Sequence, residues 1–165
     1  MKNYQMFEIK ENWNKLKSLS GNKGYYLPLV KNIKLIDIEI EGLELIRQKT
    51  KEFEEFLKEK DILVKKYAKP DSEGNPSKTV EIVDGKQYYK YDIDETKKEE
   101  FDAEGAKLVD QFQTTLQEMR DKELTYMSTL DADCTIPFNK IKECDLPSEM
   151  TPELIEMIYD FLELE

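Results

Sequence analysis

The run Asp71-Ser72-Glu73-Gly74-Asn75-Pro76 has the oxygen ligands and the glycine of a calcium loop. It fails in detail. With Asp71 at loop position 1, position 6 is Pro76 where glycine is needed, and position 12 is Ile82 where a bidentate glutamate is needed. The run reads better as turn chemistry. The two cysteines, Cys134 and Cys144, stand in a chain without histidine. Zinc needs about four nitrogen or sulfur ligands, so no zinc site is expected. Cys144 lies between Glu143 and Asp145, neighbours that raise a thiol pKa and oppose nucleophilic use. Two reduced thiols suit an intracellular setting.

The absence of histidine removes the usual general base and the nucleophile triads. Carboxylate pairs such as Glu54–Glu55 and Glu99–Glu100 fall on the exposed faces of expected helices, where they read as solvated charge. There is no glycine-rich phosphate loop. No catalytic, cofactor-binding or metal-ligating residue is therefore assigned, and no cofactor is expected.

Charge is more telling. The chain has 165 residues and a formal net charge of −11. Phosphate backbones would be repelled, so direct nucleic-acid binding is not expected. Residues 1–34 carry seven lysines and two glutamates, and residues 143–165 carry eight acids and no base. The plain reading is that the two oppositely charged ends attract each other. The functional reading is an acidic surface, represented by Glu153, Glu156 and Asp160, that engages a basic partner. No run of about 18 apolar residues exists, so no membrane span is expected, and the N-terminus lacks the apolar core of a secretory signal.

These residues need positioning elements, and the length suits one domain over 1–165. Within 1–28, Tyr4–Lys10 has strand-like content, a short helix follows, and Gly21–Pro28 reads as a loop. Over 29–67, Ile33, Ile36, Ile40, Leu43 and Ile46, then Phe53, Leu57, Val64 and Tyr67, step by helical intervals. A second long helix is predicted over 95–124 from Phe101, Leu108, Phe112, Leu116 and Met119. Gly105 sits in that stripe as a point of close helix approach, Asp94 or Thr96 can cap the start, and Thr96 with Glu99 forms a capping box.

Between them, 78–91 is a β-hairpin turning at Asp84-Gly85. Its register puts Val80, Ile82, Tyr89 and Tyr91 on one face, expected to pack on the tip of the helix pair or to meet a partner. Residues 131–165 are expected to hold a strand near Ile136–Ile141 and a C-terminal helix begun by Thr151 and Pro152. The expected fold is α+β and mostly helical. It is a long antiparallel helical hairpin with a β-hairpin at its tip and a small strand-and-helix base formed by the termini.

The order of features resembles a loose group of short uncharacterised proteins from tailed bacteriophages. The matching positions are Lys66, Tyr67, Asp71, Gly74, Asn75, Pro76 and the run Thr151–Leu154. The resemblance covers nearly the whole chain. The long lysine-rich N-terminus and residues 118–135 depart from it. It implies no established activity and no functional residues. A virion structural or assembly protein is expected, acting through other proteins, with homo-oligomerisation among the options. The alternative is an acidic inhibitor of a basic, nucleic-acid-binding host or defence protein. Either places the chain in the host cytoplasm or the virion.

Overall fold

The computed structural model describes residues 1–83 and 86–163. The protein is mostly helical with a small antiparallel sheet. The chain divides into two compact units, one made of 1–48 with 122–165 and the other of 49–121.

The first unit begins with helices α1 (Gln5–Glu11) and α2 (Trp13–Ser18). The strand expected over Tyr4–Lys10 is thus a helix. Met6, Ile9 and Leu16 are buried at steps of three and seven, a helical period that overrides the aromatic content that suggested a strand. The chain start is fixed to the end of α6 (Gln113–Leu130) by the Asn3 and Tyr4 amides, which donate to Ala132 and Leu130 carbonyls.

Helix α3 (Lys23–Ile46) starts inside the expected loop. Asn22 caps it, its side-chain oxygen accepting from the Tyr25 amide at 3.1 Å. Pro28 lies inside α3 and removes one hydrogen bond, that to the Gly24 carbonyl. Tyr25, Leu29, Ile33, Ile36, Ile40 and Leu43 turn one face into the core. Each such side chain contributes about 1.5–3 kcal/mol by leaving water.

The long helix expected over 29–67 is broken. Residue Thr50 restarts it as α4 (Lys51–Tyr67), its hydroxyl accepting from the Phe53 amide at 3.2 Å. A polar gap in the stripe is therefore an N-cap.

The strand expected over Ile136–Ile141 is reduced to β3 (Ile141–Lys142), paired in parallel with β4 (Leu162–Glu163). Pro137 has no amide to offer a ladder, and the Phe138 amide turns back onto Ile136. The C-terminal helix α7 (Pro152–Met157) is short, with Pro152 at its first turn. It hands over to Ile158 and Phe161, which are buried with Ile141. Residues Asn3 and Asn32 are the buried polar side chains among those described.

In the second unit, α4 runs antiparallel to α5 (Lys98–Gln111). Two ring pairs fix the alignment: Phe56 on Phe112 at 5.6 Å and Tyr67 on Phe101 at 5.8 Å. Phe112 separates α5 from α6, so the predicted second helix over 95–124 is two helices that extend to Leu130. Of the two candidate caps, Asp94 is the one used, at the 3-10 turn Glu95–Lys97 that leads into α5. The Asp94 carboxylate accepts from the Thr96 amide at 3.0 Å and from the Thr96 hydroxyl at 2.7 Å, and α5 itself starts after Lys97 with no side-chain cap, so the capping box is not formed. A Cβ placed on Gly105 would meet nothing within 4 Å, so this glycine marks no close helix approach.

Candidate functional site

The β-hairpin of the second unit is β1 (Lys78–Val83) and β2 (Lys86–Tyr91). Its antiparallel register pairs Thr79 with Lys90, Val80 with Tyr89 and Glu81 with Tyr88, as the alternation of residue types predicts. The expected Asp84-Gly85 turn lies outside the described residues.

The hairpin's base is polar. The Asp92 carboxylate accepts from the Ser77 and Thr79 hydroxyls, both at 3.0 Å. Below it, Asp71 accepts from the amides of Glu73 at 2.8 Å and Asn75 at 2.9 Å, and Gly74 takes the left-handed conformation with φ 85°. Asp71-Ser72-Glu73-Gly74-Asn75-Pro76 is thus an Asx-type turn whose leading carboxylate is committed to its own backbone.

The apolar face does not settle on the helices. Val80 is 52% exposed, Ile82 70% and Tyr89 65%, while Tyr91 is half-buried. Two interactions stand in place of that packing. The Asp92 clamp holds the hairpin by hydrogen bonds, and the Lys78 ammonium lies 5.1 Å from the Tyr91 ring centre and 6.0 Å from that of Tyr89. Between α4 and the hairpin lies an open groove of 730 Å³ with Leu57, Val64 and Phe101 on its helical side and Tyr88 and Tyr91 on the other.

The three C-terminal acids are not equivalent. Asp160 binds the Met1 amine at 3.0 Å, and its carbonyl accepts from Lys140 at 2.8 Å. Glu153 accepts from the Thr151 hydroxyl, which holds its carboxyl below the ordinary value. Glu156 is exposed. Lys2 pairs with Asp133 at 2.8 Å, which keeps that carboxyl low as well. Part of the N-terminal positive charge is therefore met inside the first unit, by Asp160 for the Met1 amine and by Asp133 for Lys2.

Glu54, Glu55, Glu99 and Glu100 are solvated. Among the described residues, no three acid, cysteine or histidine side chains come together as a metal site would require. Both cysteines are free thiols; Cys144 is exposed, and burial pushes the half-buried Cys134 up. No described helix is long and apolar enough to cross a membrane.

Sequence reasoning missed a second surface of the same unit. Ile62, Leu63 and Leu108 floor a groove of 410 Å³ on the α4–α5 pair. The signal was the breadth of apolar positions in α4. Phe56, Ile62 and Leu63 lie beside the Phe53–Leu57–Val64 stripe, so the helix has more apolar surface than one partner helix covers.

Comparison with known proteins gives no match to any family model, curated protein or solved structure.

Proposed function

We propose that this chain is a non-enzymatic bacteriophage protein that works through protein–protein contacts, as a structural or assembly component of the virion. The observation that carries the contact reading is the uncovered Val80–Ile82–Tyr89 face of the hairpin. Three large apolar side chains side by side on a hairpin, held from below by hydrogen bonds, are suited to meet another protein. The bacteriophage part rests on the whole-chain resemblance. In the same proposal, α4 and α5 serve as the arms of an antiparallel helical hairpin that presents the β-hairpin at its tip.

The test is mass spectrometry of purified particles from an infection in which the protein is made. Recovery at fixed copy number supports the proposal, and incorporation should fall at least tenfold for Ile82→Asp with Tyr89→Ser. Particles that never contain the protein would count decisively against it. The acidic-inhibitor alternative predicts loss of a host target on charge reversal at Glu153, Glu156 and Asp160. It draws less support, because Asp160 and Glu153 already have partners within the chain.

A further inference from the structure

We infer that the outer face of the α4–α5 pair docks a second copy of this chain, giving a two-fold dimer in which four helices pack together. The second unit is short of core for its size. Among the described residues its buried apolar side chains are Phe56, Tyr67 and Phe112, and α5 has none of its own. Ile62 remains 67% exposed in the lining of the 410 Å³ groove, with Leu63 and Leu108. A two-helix layer of this kind gains most from a second layer laid over it.

The charges around the groove select the occupant. Its rims hold Glu59 and Lys66 on α4, and Glu104 and Lys107 on α5. The set is neutral in a chain of net charge −11, so the groove itself adds no net repulsion between two copies. Lys66 and Glu104 already pair at 2.8 Å across the two helices. Among the described residues Glu59 and Lys107 have no ion-pair partner.

The ring pairs Phe56–Phe112 and Tyr67–Phe101 set the levels of the antiparallel helices. By that alignment Glu59 and Lys107 stand about 3 Å apart along the axis, two residues at 1.5 Å each. A two-fold axis running along the helices lays α4 of one protomer on α5 of its partner. Glu59 then meets Lys107 of its partner, twice by symmetry, around the Ile62 side chains. The face is roughly 25 Å long and two helices wide, at the small end of specific interfaces, so association belongs in the micromolar range.

Sedimentation velocity of the full chain over about 1–200 µM tests this. The mass should rise from 19.5 kDa towards twice that value. Ile62→Asp, at an exposed position, should weaken the dimer at least tenfold with the helical circular dichroism retained. Glu59→Lys and Lys107→Glu should each weaken it, and the two together should recover it to within about threefold of the parent. A mass fixed at 19.5 kDa throughout overturns the inference, as does a dimer indifferent to Ile62→Asp or a combined variant that stays dissociated. Ile82→Asp leaves this dimer intact, so its outcome is separable from that of the hairpin reading.

Discussion

The side chain of Asn32, fully buried on α3, grips Asn139 on both sides of its backbone. Its oxygen accepts from the Asn139 amide at 2.7 Å, and its nitrogen donates to the Asn139 carbonyl at 2.9 Å. The Asn139 side chain adds a third bond to the same oxygen at 3.0 Å. Asn32 thereby replaces the ladder partner that the segment before β3 lacks. Asn32→Leu leaves two half-buried backbone groups unpaired and should cost about 2–4 kcal/mol in denaturant unfolding. Asn139→Ala removes a single bond and should cost about 1 kcal/mol. Equal losses from the two would show that the backbone grip carries no special weight.

Tyr25 is a buried tyrosine whose hydroxyl donates to the Leu16 carbonyl at 3.0 Å. Burial, with a smaller contribution from Tyr26, pushes its pKa from 10.0 to about 12. The neutral form is thus favoured by the fold. The associated stability is fully present below pH 10, where the unfolded phenol ionises, and is lost as pH rises through about 12. Ultraviolet titration of tyrosinate should show a late step near the top of that range, missing in Tyr25→Phe. Superimposable curves for parent and variant would refute it.

The readable part of this fold was the part governed by repetition. Ile33, Ile36, Ile40 and Leu43 recur at helical spacing and are buried, and the alternation from Thr79 to Tyr91 set the hairpin register correctly. What was not readable depended on single polar atoms. Thr50 caps α4 through one oxygen, and hydropathy alone cannot distinguish a cap from an interruption. Met6 and Ile9 were hidden because two positions define no period until Leu16 is read with them. At the hairpin, faces were assigned correctly, but whether a face is covered depends on distant residues. The Asp92 clamp and Lys78 over the tyrosine rings were invisible to a pattern of apolar positions.

The two thiols should differ sharply in reactivity. Cys144 is exposed, whereas Cys134 is half-buried, lies 4.0 Å from the Met6 sulfur, and has its pKa raised by burial. Thiolate is the reacting species, so Cys134 is slowed by both access and protonation. A chromogenic disulfide reagent at neutral pH should label one equivalent quickly and the second at least tenfold more slowly. Cys144→Ser should delete the fast phase. Loss of the slow phase in its place would reverse the assignment.

Gly24 and Asp145 are coupled through the space that a methyl group would need. A Cβ on Gly24 would run into the Asp145 carboxylate, which also accepts from the Asn22 side chain at 2.8 Å at the start of α3. The negative charge suits that helix end, where unpaired amides carry partial positive charge. Two effects then compete in Gly24→Ala. Helix propensity favours alanine by about 1 kcal/mol. Against it stands displacement of Asp145, with loss of a charge-assisted hydrogen bond of about 1.5–3 kcal/mol. The second is larger, so Gly24→Ala should destabilise the protein. In an Asp145→Ala background the obstructing atoms are gone, and the same substitution should stabilise by up to about 1 kcal/mol. Denaturant unfolding of the four chains measures this sign change directly. Gly24→Ala having one sign in both backgrounds would mean that the carboxylate does not set the requirement for glycine.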